Sequence, residues 1–203
     1  MKAFRIAALA AALLVAACAP KAVEVVQPIP ASLRGNAQVA AVGVTLSPIA
    51  RDLMGKFDVK AAEKRADAKL APVDPSAPLA GKPPRDEYST LPFAQMFPLI
   101  VQDVAREKGL NSGRPIRLDV EIDTLKTANA GMAILAGSSD QLAGQVTVRD
   151  AASGDKLGQF YVDVINNHAG LLGLAMRGGG VREKLAQEFA EHIADQLRAK
   201  GKK

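Results

Sequence analysis

The sequence contains a single cysteine, Cys18, so no disulfide can form within one chain and the fold must depend on its apolar core. It contains two histidines, no tryptophan and no group of cysteines at the spacing of a metal site. Aromatic residues make up 4% of the chain and are not interleaved with basic segments, so we expect no nucleic-acid partner. No apolar run after Cys18 approaches the roughly 20 residues of a membrane-spanning helix.

The one long apolar run lies at the amino terminus and ends at this cysteine. A short basic segment, 1–5, precedes an Ala- and Leu-rich run at 6–17, which is typical of a secretory signal and too short to span a bilayer. The sequence Leu14-Val15-Ala16-Ala17-Cys18 resembles the lipobox of bacterial lipoproteins. The resemblance implies cleavage between Ala17 and Cys18, with a diacylglycerol and an acyl chain then attached to Cys18. We expect no other cofactor and no metal.

An ordinary signal peptide cut near Ala17 is the alternative interpretation, and it would leave Cys18 as a free thiol. Ala19, rather than an aspartate, follows the cysteine, which resembles an outer-membrane retention signal. We therefore expect a protein anchored by lipid at the periplasmic side of the outer membrane. The sequence leaves its oligomeric state open.

Proline positions divide the rest of the chain. Residues 18–36 are predicted to be a lipidated flexible tether, because three prolines interrupt them, and such a tether reaches roughly 60 Å when extended. Residues 37–199 are predicted to form one domain, and 200–203 a basic tail. Six prolines between 71 and 92 predict a long connection without regular helix or central strand, either wrapped over the surface or mobile.

Hydrophobic periodicity predicts the element order β-α-β-β-β-α. The strands are predicted at 38–46, 116–123, 141–149 and 157–165, and the main helices at 93–108 and 181–199. Weaker patterns predict a short helix capped by Ser47-Pro48 and stopped at Gly55, then an exposed helix at 58–70. A right-handed crossover makes the first two strands parallel, and a turn at 150–155 makes the last two antiparallel. The fold class is therefore α+β, with a mixed, mainly antiparallel sheet of about four strands and helices on one face.

Part of this pattern resembles a known group of proteins. The strand Val146–Asp150, the Ser153-Gly154 turn and the closing helix that ends at Ile193–Leu197 look like small bacterial envelope lipoproteins of an uncharacterised family. Their fold is similar to the amino-terminal domain of TolB and to the curli secretion lipoprotein. The resemblance covers roughly 91–197 and implies a non-catalytic binding or assembly role with an envelope protein as partner. Auxiliary lipoproteins of envelope lipid transporters share the size and element order, and are the alternative.

The sequence carries no catalytic motif that we can identify, so we predict that the protein is not an enzyme. Neither a Gly-x-Ser-x-Gly elbow nor a His-Glu-x-x-His motif is present. His192 lies on the last helix, and His168 ends a strand as a weak candidate base. An enzyme, the second alternative, would use His168 or a neighbouring carboxylate such as Asp163.

Two connections of the sheet are apolar, although such connections are usually polar. One joins the second and third strands at 130–137, and the other follows the fourth strand at 170–176. In an antiparallel arrangement both meet at one edge, and we predict a docking surface there, unless the two connections bury one another or extend the strands under the helices. The tether is predicted to enter at the opposite, polar end. The predicted docking residues are Met132, Ile134, Leu135, Leu171, Leu172, Leu174 and Met176.

Overall fold

The computed structural model describes residues 22–127, 138–168 and 180–199. Cys18, Ala17 and all seven predicted docking residues lie outside these ranges. The described part contains five strands, three α-helices and one 3-10 helix. They are β1 (Val23–Gln27), β2 (Ala37–Leu46), α1 (Pro48–Asp67), the 3-10 helix (Arg85–Thr90), α2 (Phe93–Glu107), β3 (Arg114–Lys126), β4 (Ser138–Asp150), β5 (Lys156–His168) and α3 (Val181–Leu197).

The five strands form one sheet in the order β1-β5-β4-β3-β2. Strands β2 and β3 are parallel and are joined through α2, whereas the other three pairs are antiparallel. The predicted α+β class with a mixed sheet is therefore confirmed, with five strands in place of about four. The parallel pairing of the first two predicted strands is also confirmed.

The additional strand, β1, lies in the segment predicted to be a flexible tether. Val23 pairs with Val162 and Gln27 with Gln159, and the carbonyl oxygen of Ala22 accepts a hydrogen bond of 2.9 Å from the Asp163 amide. Three of the five residues of β1 are valine, which favours a strand, and the nearby prolines flank the strand instead of interrupting it. The prediction of flexibility throughout 18–36 is therefore wrong from residue 22 onward.

Helix α1 replaces the two shorter helices predicted from the sequence. The Ser47 hydroxyl accepts a hydrogen bond of 3.3 Å from the Ala50 amide, and Pro48 occupies the first helical position, as predicted. Gly55 lies inside the helix and does not stop it. A glycine in a helix costs only about 1 kcal/mol relative to alanine, which the burial of Ala50 and Met54 offsets.

The apolar core lies between the helices and one face of the sheet. Helices α2 and α3 meet through Phe97 and Phe189, whose ring centroids are 5.6 Å apart in an edge-to-face arrangement. Pro98 lies inside α2, which begins at Phe93. The sheet contributes buried residues from its three central strands: Ile116, Leu118, Val120, Ile122, Val146, Val148, Phe160, Val162 and Val164.

The opposite face of the sheet is polar. Asp119 accepts hydrogen bonds from Arg117 at 2.7 Å and from Arg149 at 2.8 Å. The Tyr161 hydroxyl donates to Asp123 at 2.9 Å, and both burial and the Asp123 carboxylate raise the pKa of Tyr161 to about 12. A groove of about 340 Å³ crosses this face, but the charges of Asp119, Arg117 and Arg149 are paired with one another there.

The register of the strands gives the domain two distinct ends. The lower end holds the 150–155 turn and the start of β2. Helix α3 ends there, since the Gly35 amide, just before β2, donates to the Leu197 carbonyl at 2.8 Å. Helix α2 also ends there, since the Val39 amide of β2 donates to the carbonyl of Leu110, just after α2, at 3.1 Å. The upper end holds the last residues of β2, β3 and β5 and the first residues of α2 and α3. Strand β1 runs from the upper towards the lower end, opposite to β2. The predicted first strand, β2, begins at the lower, polar end, as predicted, but β1 precedes it and runs the other way. The residues before Val23 therefore approach from the upper end.

Candidate functional site

A cleft of about 500 Å³ lies between α1 and the proline-rich connection. This volume is within the range of small-molecule sites. One wall is a stripe of α1 at helical spacing, formed by Val59, Ala62 and Ala66. The sequence showed this stripe but indicated only a weak, exposed helix. The other apolar lining residues are Leu70, Pro72, Val73, Pro75 and Pro92.

The opposite wall is held in place by hydrogen bonds from the helices. Arg65 of α1 donates from Nη1 to the Thr90 hydroxyl at 3.0 Å and from Nε to the Ala71 carbonyl. Gln95 of α2 donates to the carbonyls of Asp74 and Ala77 at 2.7 and 2.8 Å. The proline-rich connection is therefore wrapped over the surface, one of the two outcomes that the sequence left open.

A buried carboxylate fixes the far part of the same connection to α2. Asp103 accepts hydrogen bonds from the Tyr88 hydroxyl at 2.9 Å and from the Lys82 ammonium, and Arg106 lies at 3.2 Å. Burial opposes ionisation of Asp103, but the Lys82 and Tyr88 hydrogen bonds hold its pKa below the usual value. Burial and the Asp103 hydrogen bond raise the pKa of Tyr88. The cluster therefore has a structural role.

Asp58 and Arg182 join three helices at the inner end of the cleft. Asp58 of α1 accepts a hydrogen bond of 2.8 Å from the Phe93 amide at the start of α2 and one of 3.0 Å from Arg182 of α3. Arg182 is only 5% exposed and also donates to Glu183 at 2.9 Å and to the Ser89 carbonyl at 3.3 Å. Burial raises the pKa of Asp58, although the Phe93 amide and Arg182 act in the other direction.

The chemistry of the cleft is that of a binding site for an apolar ligand. Its charged lining residues, Asp58 and Arg65, are bonded to other residues of the chain, and so is Thr90. The remaining surface is aliphatic, so it offers contact area and few directed polar groups. Within 22–127, 138–168 and 180–199, no group of three or more metal-ligand side chains could hold a metal ion.

Of the residues considered from the sequence, the described ranges include Asp163 and the two histidines. His168 ends β5, and Asp163 accepts a hydrogen bond of 2.7 Å from Gln141 on the polar face of the sheet. His192 is half-buried on α3. The strand ends that flank the two apolar connections, Lys126, Ser138 and His168, lie together at the upper end. The docking role of the seven apolar residues stays a prediction.

In the described ranges, no helix has both the length and the apolar character needed to cross a bilayer. The cleft was not predicted from the sequence, although its two walls, 55–66 and 70–75, follow one another closely along the chain. The available signals were the small apolar stripe at 59–70 and the prolines that follow it. Neither signal indicates by itself that the connection folds back over the helix.

Comparisons with known proteins give matches of shape only. No protein-family model matches the sequence. No curated protein matches it. The PelC dodecamer from Paraburkholderia phytofirmans is 13% identical with a TM-score of 0.43, over 88% of this chain and 99% of that one. A DUF330 protein from Xanthomonas campestris is 13% identical with a TM-score of 0.40, over 82% and 86%.

A third similar structure is a candidate lipoprotein from Caulobacter crescentus CB15, which is 13% identical with a TM-score of 0.35, over 48% of this chain and 77% of that one. At such low identity and structural overlap, none of these likenesses carries an argument about function. The resemblance to the TolB amino-terminal domain and to the curli secretion lipoprotein stays a prediction.

Proposed function

We propose that the protein is a lipid-anchored lipoprotein of the cell envelope that acts as a non-catalytic binding or assembly component. The observation that carries the proposal is the lipobox at 14–18, which a folded domain follows within four residues. The anchor is the diacylglycerol and acyl chain on Cys18, and the location is the periplasmic side of the outer membrane. The partner is another protein of the envelope.

The anchor is tested by labelling cells with radioactive palmitate and separating their inner and outer membranes. We expect the wild-type protein to carry label and to sediment with the outer membrane. The Cys18→Ser variant should carry no label and keep its signal segment. An unlabelled wild-type protein released with the periplasmic contents would overturn the proposal and favour an ordinary signal peptide.

The partner is tested by crosslinking the full lipoprotein in its native envelope and purifying it. The double variant Leu135→Asp/Leu172→Asp places two charges in the predicted docking surface, and Ser153→Asp places one in the exposed turn at the lower end. We expect a specific partner with wild type and Ser153→Asp, and its loss with the double variant. Equal recovery from all three proteins, at unchanged stability, would remove these residues from the docking surface.

The second candidate function is an auxiliary lipoprotein of an envelope lipid transporter. The observation that favours it is the aliphatic cleft beside α1, since its volume and lining suit a lipid chain better than a polar metabolite. This candidate predicts lipid in the purified protein and copurification with an inner-membrane transporter. Absence of both from a preparation that retains the anchor would eliminate it.

A further inference from the structure

We infer that the cleft beside α1 binds one acyl chain of a bilayer lipid while the domain is held at the membrane. The inference rests on the proposed function, because the proposed lipid anchor at Cys18 is what holds the cleft at the membrane. It adds a ligand class, a long aliphatic chain, and a site formed by Val59, Ala62, Ala66 and Val73.

The first support is the short distance between the anchor and the fold. Ala22 is already fixed to β5 through the hydrogen bond from the Asp163 amide. Three residues separate Cys18 from Ala22, and the four steps between the two residues span at most about 14 Å. Strand β1 begins midway along β5, where Val23 pairs with Val162, and runs towards the lower end, so the chain from Cys18 reaches Ala22 from the upper side. The long tether predicted from the sequence would have allowed any orientation.

The second support is the position of the exposed apolar side chains. Ile49 is 79% exposed in the first turn of α1, and Ile165 is 40% exposed near the end of β5. Val59, in the wall of the cleft, is 59% exposed. Ile49 and Ile165 lie towards the upper end and Val59 lines the cleft, so contact with lipid would bury them. The other two exposed large apolar side chains of the described residues, Val25 and Val26, lie on β1.

The third support is the location of the cleft itself. Asp58, in its lining, holds the first amide of α2, and the amino ends of α2 and α3 lie at the upper end. The cleft is therefore on the side of the domain that the short anchor brings to the membrane. Its paired polar groups leave an aliphatic surface as the main contact for a ligand.

The source of the acyl chain is the bilayer and not the anchor. Strands β1 and β2 are the two edges of the sheet, four strand spacings or about 19 Å apart, and α1 follows β2. The chains on Cys18 are also required in the membrane, since a single acyl chain gives only marginal, reversible attachment. A neighbouring phospholipid can enter the cleft without weakening the anchor.

The test uses the mature lipoprotein in vesicles of phosphatidylethanolamine and phosphatidylglycerol that contain a phospholipid with a photoreactive acyl chain. After irradiation, mass spectrometry locates the crosslinked residues. We expect label concentrated at 59–75 and reduced several-fold by Ala62→Phe or Ala66→Phe, which fill the cleft. Ala94→Phe is the matched control, because Ala94 is exposed at the start of α2 and outside the cleft lining. It should leave the labelling unchanged.

Label spread evenly over the upper end, or equal labelling of wild type and Ala62→Phe, would overturn the inference. The same digests report the mass of the Cys18 peptide and so test the proposed function separately. A lipidated Cys18 without label in the cleft removes the inference alone. A labelled cleft with an unmodified Cys18 removes the anchor and keeps the site. The acyl chains on Cys18 carry no photoreactive group. If they occupied the cleft in place of a bilayer lipid, the cleft would carry no label, and the inference would be overturned.

Discussion

Arg182 is the residue whose charge is most deeply buried among the described ion pairs, and its removal should destabilise the fold. Arg182→Met leaves Asp58 without its guanidinium partner in a site where burial already opposes ionisation. We expect the free energy of unfolding, measured with urea, to fall by about 1–3 kcal/mol. The matched control is Arg117→Met, because Arg117 makes a salt bridge of 2.7 Å while its side chain is 57% exposed. Its effect should stay within about 0.5 kcal/mol. Equal effects at both sites would contradict this reasoning.

Asp150 should make the stability depend on pH in the acid range. The Ser153 amide at 2.9 Å and Arg114 at 2.8 Å hold the pKa of Asp150 at about 2, below its ordinary value of 3.8. A lowered pKa in the folded state stabilises the protein above pH 3.8, and this contribution is lost as the pH falls towards 2. We expect Asp150→Asn to reduce the loss of stability between pH 4 and pH 2, measured by urea unfolding at each pH. An unchanged pH profile would show that other carboxylates dominate.

Individual residues were predicted well where local chemistry decides the conformation. The Ser47-Pro48 start of α1 follows from the hydroxyl that accepts the Ala50 amide. The alternation of Leu118 and Val120 with Asp119 correctly gave a strand with one buried face. The pairing of Asp58 with Arg182 could not be predicted, because these residues are far apart in sequence and meet only after three helices pack.

At the scale of the elements, replacing Gly55 with alanine and replacing Gly113 with alanine should change the stability of the protein in opposite directions. Gly55 lies inside α1 and an added Cβ meets nothing within 4 Å, so Gly55→Ala should stabilise the protein by about 0.5–1 kcal/mol. Gly113 has a φ of +101° and an added Cβ would lie 2.5 Å from the Asn36 side chain. Gly113→Ala should therefore destabilise the protein. Thermal unfolding of both variants measures this, and effects of the same sign would contradict it.

Long, strongly periodic elements were correctly predicted, whereas short or weakly patterned ones were not. Strand β3 and helix α2 carry clear stripes of apolar residues, and both were found. Strand β1 has only five residues and lies beside two prolines, so its three valines are too short a signal to distinguish it from a linker. It is a strand because it pairs with the edge of β5. Helix α1 continues through Gly55 because packing of Ala50, Met54 and Ala61 outweighs the local preference.

For the whole molecule, the short connection to Cys18 predicts a fixed orientation at the bilayer. Cys18 is the only cysteine and carries lipid under the proposed function, so Ile49→Cys and Ser153→Cys each introduce one site for a fluorescent label. In vesicles that contain brominated lipids, we expect strong quenching of a label at position 49 in the upper end. A label at position 153 in the lower turn should stay bright. Equal quenching at both positions would indicate a domain that moves freely on its anchor.

The direction of β1 also decides how the domain bears mechanical load. With the proposed anchor on Cys18, the membrane would pull on the chain at Ala22, and β5 is the only strand of the described sheet that pairs with β1. When a partner holds the lower end, the force runs along the strands and shears all hydrogen bonds between β1 and β5 together. When the partner holds the upper end, the force crosses the strands and breaks those bonds one after another. The site of docking therefore sets whether this attachment is mechanically strong or yields at low force and lengthens the tether.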